Sequence, residues 1–95
     1  MSYIVNMIFY DDSIKKKIKK HEIPRTIVQQ FHNAFLSLEL TEDFSLFDIK
    51  KIKGSFERSY YRLRKGKYRA IFYLNNKDII VIYMGHRKEI YKSWL

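Results

Sequence analysis

One six-residue run, Ile79-Ile80-Val81-Ile82-Tyr83-Met84, limits the folds open to this chain more than any other. It is β-branched and aromatic, so it reads as a strand. It is apolar on both faces, so both need cover, and such a strand belongs inside a sheet rather than at its edge. Partners for it are easily found. Tyr3 to Tyr10 reads as a first strand, and about Arg58–Arg64, Lys67–Leu74 and Asp78–Met84 as three more, with Gly85 ending the last. Asp11-Asp12-Ser13 offers N-caps for a short helix to about Lys20, with Ile14 and Ile18 on one face. Pro24 suits the first turn of a second helix, in which Ile27, Phe31, Ala34, Phe35 and Leu38 form an apolar stripe at helical spacing. Thr41 to Gly54 connects this helix to the strands, and Arg87 to Trp94 forms a closing helix. The order β-α-α-β-β-β-α predicts an α+β fold, a mostly antiparallel four-stranded sheet packed on a helical hairpin. Residues 1–95 are expected to make a single domain with one core.

Charge divides the chain unevenly. Residues 1–49 hold six Lys and Arg against seven Asp and Glu, whereas residues 50–95 hold thirteen against three. The whole net charge of +9 therefore sits in the second half, the electrostatic footprint of a protein that binds a polyanion. The bland alternative is a basic protein kept soluble by its charge. There is no Cys, hence no disulfide framework and no thiolate metal site. No apolar run approaches the ~18 residues of a membrane span. Residues 1–12 lack a basic segment followed by an apolar core. These features predict a cytoplasmic protein that does not engage a membrane.

The basic half contains an unusual hairpin, Tyr60-Tyr61-Arg62-Leu63-Arg64-Lys65-Gly66-Lys67-Tyr68-Arg69. With Lys65-Gly66 as a two-residue turn, Arg64 pairs with Lys67 and Arg62 with Arg69. Like charges directly opposite destabilise a sheet by a few tenths to about 1 kcal/mol. A fold gains nothing from such a pair, and a phosphate-binding surface does. Asn75-Asn76 supplies the next turn, since Asn tolerates left-handed backbone. A two-residue loop there places Arg87 on the opposite face from Arg69, and a three-residue loop brings them together.

Other chemistries find little support. The glycines at 54, 66 and 85 are too dispersed for a phosphate-cradling loop, and His21, His32 and His86 lack metal-ligand spacing. No metal or cofactor is expected. What remains is cations interleaved with rings, among them Arg62, Arg64, Arg69, His86 and Arg87 with Tyr60, Tyr68 and Tyr91. Arg and Lys neutralise phosphates, and Tyr stacks on splayed bases, which suits single-stranded RNA.

Three segments, Lys50-Lys51-Ile52-Lys53-Gly54, Tyr61 to Arg69, and Gly85-His86-Arg87-Lys88-Glu89-Ile90-Tyr91, resemble the RelE/ParE superfamily of type II toxins. The hairpin followed by Gly-His-Arg-x-x-x-Tyr is the most specific part, and it resembles the RelE branch more than the ParE branch. The resemblance implies an mRNA interferase that enters the ribosomal A site and cuts the bound message. It also implies a cognate antitoxin protein that holds the toxin inactive. Arg69 and Arg87 would then stabilise the transition-state phosphate, with Arg62 and Arg64 holding the backbone. Tyr91 would stack on, or exchange a proton with, the nucleotide at the cut. Lys50, Lys51, Lys53, Lys65 and Lys67 would contact messenger or ribosomal RNA.

The cut needs no metal, because the RNA 2′-hydroxyl can attack the adjacent phosphate once it is oriented and the developing charge is stabilised. The proton-abstracting group is open. His86 is a candidate because imidazole as a group suits acid–base work near neutrality, yet a lone His is more often structural. Glu89 is a weaker candidate that a surface ion pair with Lys88 or Lys92 would equally explain. Tyr91 could simply seal the last helix against the sheet. Two rival functions stand beside the ribonuclease: a ParE-like toxin that binds DNA gyrase, and a non-catalytic RNA-binding module.

Overall fold

The computed structural model describes residues 7–54 and 57–93, with side chains as far as Ile90. Its elements run β1 (Ile8–Tyr10), α1 (Asp12–Lys19), α2 (Arg25–Thr41), a 3₁₀ turn (Phe44–Leu46), β2 (Ile49–Lys51), β3 (Tyr61–Lys65), β4 (Tyr68–Asn75), β5 (Asp78–His86) and α3 (Arg87–Ser93). The strands lie side by side in the order β1-β5-β4-β3-β2. β1 runs parallel to β5, and every other pairing is antiparallel. The α+β arrangement is the expected one, with five strands instead of four. The additional strand is β2, inside the connection from Thr41 to Gly54. Three residues give no readable alternation, and lysines at a sheet edge discourage pairing with another chain. β5 is an interior strand, as its double-sided apolarity requires. Gly85 does not end it, for β5 continues through His86. Of the first expected strand, residues 3–6 lie outside the described residues.

The helical hairpin forms where its sequence signals place it. Asp11 caps α1, its carboxylate accepting the Ser13 backbone N–H at 3.0 Å. Ile14 is buried on the sheet, but Ile18, one turn on, is 36% exposed. His21 turns the chain with φ +58°. Pro24 occupies the N-cap of α2, one residue earlier than its usual first-turn place, and its carbonyl accepts from Ile27 and Val28. The stripe Phe31, Ala34, Phe35 and Leu38 is buried, with Ile27 half-buried beside it.

These helices cover one face of the sheet, where Leu63, Ala70, Phe72, Val81 and Met84 point. Phe35 meets Phe72 edge-on at 5.3 Å between ring centroids. Full burial of such a side chain contributes about 1.5–3 kcal/mol. The opposite face carries a smaller cluster in which Ile90 of α3 closes on Ile71 and Ile52, with Ile82 and Tyr83 alongside. Among the described residues no charged or polar side chain is fully buried on either side, and no helix is long and apolar enough to cross a membrane.

Two details of register decide where the arginines go. Lys65 pairs with Tyr68, so the first hairpin turns at Gly66-Lys67 rather than at Lys65-Gly66. Gly66 then stands first of the two turn residues with φ +58°, where a II′-type turn needs it. This register also sets Tyr61 against Phe72, with rings 5.6 Å apart. As a result Arg64, not Arg62, lies opposite Arg69, and Arg62 lies opposite Ile71. The second hairpin pairs Asn75 with Asp78, so its two-residue turn is Asn76-Lys77, with φ +56° at Asn76. A bulge follows. Pairing passes from Phe72–Val81 to Ile71–Tyr83, leaving Ile82 with no residue opposite. That extra residue reverses the alternation of β5 and sets Gly85 opposite Arg69. A bulge thus does what a three-residue loop would have done.

Candidate functional site

On the face away from α1 and α2, register lines up two rows of side chains. One row runs Arg64, Arg69, Gly85 across β3, β4 and β5. The other runs Lys50, Arg62, Ile71, Tyr83 across β2 to β5. Arg87 follows Gly85 by two residues and opens α3, its backbone N–H bonded to the Lys67 carbonyl at 2.8 Å. The hairpin tip therefore anchors the start of the helix that carries Arg87.

Arg69 lies at the centre of the charge. Its guanidinium folds back onto the turn, donating to the carbonyls of Gly66 at 2.8 Å and Tyr68 at 2.9 Å. Partial burial lowers its pKa from the ordinary arginine value, and the positive charges of Arg62, Arg64 and Arg87 lower it further. Asp48 acts in the other direction. The part of the shift that comes from the three arginines reports a local field that favours an anion.

Beside this row lies a groove of about 260 Å³ lined by Lys50, Lys51, Ile52, Lys53, Arg62 and Ile90. The three lysines expected to approach RNA thus share one recess with Arg62, on a floor of two isoleucines. Lys65 and Lys67 sit at the hairpin tip, Lys67 exposed and Lys65 half-buried. His86 goes elsewhere. It pairs with Tyr68 on the helix-covered side, its ring 5.4 Å from that of Tyr68, and its Nδ1 accepts the Lys88 backbone N–H at 3.1 Å. That contact caps α3. Tyr91 falls on α3, one turn after Arg87, but its side chain lies outside the described residues.

Sequence reasoning missed two features. Asp48 pairs with both Arg62 (3.6 Å) and Arg64. Its only signal in the sequence is an acid placed just ahead of the lysine run. The second is a buckle at the base of α3. Glu89 Oε2 accepts from the Tyr83 hydroxyl at 3.1 Å and meets Lys17 Nζ at 3.4 Å. Lys17 also donates to the Met84 carbonyl at 3.2 Å, beyond the point where β1 stops pairing with β5. A Cβ on Gly85 would come within 2.7 Å of both the Tyr83 hydroxyl and Glu89 Oε2. Gly85 is thus needed for close approach, since its φ is not positive. Burial, and then the charge and hydrogen bond of Glu89, push the Tyr83 phenol up to about 12.

Two solved structures share this architecture. A chain of the RelB-RelE antitoxin-toxin complex from Methanococcus jannaschii superposes with a TM-score of 0.71 and 30% sequence identity, over 92% of this chain and 99% of its own. The chain belongs to the RelE-like toxin family. A chain of the archaeal RelE-RelB complex from Pyrococcus horikoshii OT3 has the same fold, with a TM-score of 0.68 over 88% of this chain and 97% of its own. At 23% identity that second likeness speaks for the fold alone. No protein-family model matches the sequence, and no curated protein does. Membership in the RelE-like family therefore rests on three-dimensional likeness together with the motifs quoted above. Among the described residues, no group of three or more His, Asp or Glu side chains gathers as a metal site.

Proposed function

We propose that this toxin is an endoribonuclease that enters the ribosomal A site and cleaves the bound mRNA by attack of a 2′-hydroxyl on the adjacent phosphate. The observation that carries this reading is the gathering of Arg62, Arg64 and Arg87 around Arg69, which stands opposite Arg64 and feels the charge of all three, beside a lysine-lined groove. In-line attack adds negative charge to the phosphoryl oxygens, and fixed cations stabilise that charge more than they stabilise the ground state. Arg69, held by two carbonyls at the turn, and Arg87, at the start of α3, serve the transition-state phosphate. Arg62 and Arg64 grip the backbone, and Tyr91 stacks on the nucleotide at the cut. Lys50, Lys51 and Lys53 guide RNA along the groove, with Lys65 and Lys67 touching RNA at the tip. His86 is engaged as a helix cap and Glu89 in the buckle, so neither is assigned the proton.

The solved relatives are antitoxin–toxin complexes, which supports a cognate antitoxin protein as the natural partner here and a type II system as the setting. Messenger and ribosomal RNA place the site of action in the cytoplasm. Programmed ribosomes incubated with the purified toxin test this directly. Wild-type protein is expected to give a discrete cut in the A-site codon, and Arg69→Ala and Arg87→Ala to abolish it while remaining folded. Full cleavage by both variants refutes the reading. Toxicity that survives both substitutions together with DNA-damage signalling points instead to a gyrase-binding toxin. Salt-dependent RNA binding without any product points to a non-catalytic module.

A further inference from the structure

We propose that Asp48 is a positioning residue of the basic face, holding Arg62 and Arg64 in the geometry in which they meet the substrate phosphate. The inference rests on the ribonuclease reading and goes one step beyond it. Asp48 is the last residue before β2, and its backbone carbonyl accepts the Arg64 N–H at 3.0 Å. The carboxylate is thereby tied to β3 through the main chain. One oxygen, Oδ1, meets the Arg62 guanidinium at 3.6 Å, and the other, Oδ2, pairs with Arg64 Nε. Two arginines on one face of one strand would otherwise swing apart under their own repulsion. A bridging carboxylate removes that freedom before substrate arrives, and long cationic side chains have much rotamer freedom to lose.

Exposure fits this division of labour. Arg62 is the more enclosed, with 24% of its side chain accessible against 54% for Arg64. Its Nε is buried with no hydrogen-bond partner among the described residues, and the contact to Asp48 is an ion pair that orients it. Asp48 also opposes the net charge of the site, and its field reaches Arg69. A carboxylate there repels an incoming phosphate. If it served binding alone, the site would be better without it. The two effects pull different kinetic constants in opposite directions, and this separates positioning from plain charge.

Single-turnover cleavage on programmed ribosomes by wild type, Asp48→Asn and Asp48→Glu, each with its thermal midpoint, tests the proposal. For Asp48→Asn the expected result is a kcat lowered by about 10- to 100-fold, as misplaced groups produce, with KM unchanged or lower. Asp48→Glu, which keeps the bridge on a longer stem, recovers part of the lost kcat. An unchanged kcat in a folded Asp48→Asn protein overturns the proposal. So does a raised kcat, which would make the carboxylate a competitor of the phosphate. If wild type cleaves and Asp48→Asn matches it, only this inference falls. If wild type cleaves nothing, the ribonuclease reading falls and takes the inference with it.

Discussion

The two faces of the sheet are built from the same strands and have opposite chemistry. In β3, Tyr61 and Leu63 point to the helices while Arg62 and Arg64 point away. In β4, Ala70 and Phe72 are fully buried under α2, and Arg69 on the other side is only half-buried. Among the described residues, the helix-covered face gathers twelve buried residues into one cluster, whereas three isoleucines make up the buried part of the other. Stability is concentrated on one side, which frees the other to hold like charges next to one another. Strand alternation makes this separation possible, since residues one apart never share a neighbourhood.

The largest effect should come from the covered face. Phe72→Ala removes a fully buried ring that packs on Phe35, Phe44 and Tyr61. It should cost about 3–5 kcal/mol of unfolding free energy in a denaturant titration. Arg69→Ala on the opposite face should leave stability within about 1 kcal/mol, because the change also relieves repulsion from Arg64. In cleavage it should lose on the order of 10²–10³-fold, as deletion of a transition-state donor does. Equal destabilisation by the two substitutions would break the comparison.

Much of this division can be read from the chain alone. A four-residue rhythm from Ile27 to Leu38 announces the face of α2, and the arginines at 62, 64 and 69 announce an exposed one, because alternation is local. What resisted reading depends on contacts distant in sequence. β2 is three residues long and exists because Lys50 and its neighbours find β3. The bulge at Ile82 lies where β5 packs on α1 and α2 with one face and on α3 with the other, and no residue type near it signals an extra position. The first hairpin register slipped by a smaller margin, since Lys65-Gly66 and Gly66-Lys67 both offer a glycine to the turn. Tyr61 stacking on Phe72 accompanies the second choice, and that contact is invisible until the strands are paired. Asp48 stayed hidden because one acid beside several lysines looks like ordinary surface charge.

A smaller effect is expected at the junction of the two faces. Gly85→Ala adds a methyl group where the Tyr83 hydroxyl and Glu89 carboxylate already stand. Both are ends of side chains, so the structure can yield, at a cost of about 1 kcal/mol or a little more. The displaced buckle should shift the start of α3, and with it Arg87. Thermal unfolding should therefore move by a few degrees while cleavage falls more steeply than stability does. Proportional losses in both would show that the buckle supports only the fold.

The smallest effect compares one tyrosine from each face. Tyr10, on the helix side, shares a hydrogen bond of 2.8 Å with His32 Nδ1, and burial pushes its phenol up to about 12. Tyr83, on the basic side, also reaches about 12, but burial is there joined by the charge of Glu89 and the hydrogen bond to it. Both folded values lie above the ordinary 10.0, so the native state favours the neutral phenol. Their contribution to stability is complete below pH 10 and is lost as pH rises through about 12. Glu89→Gln removes one cause at Tyr83 and none at Tyr10. In an ultraviolet titration referenced to Tyr83→Phe and Tyr10→Phe, the Tyr83 transition should move to lower pH and the Tyr10 transition should stay. A Tyr83 transition that does not move would mean that burial and the hydrogen bond set it without the charge. The carboxylate of Glu89 would then hold α3 without shaping the electrostatics of the face that Arg87 joins.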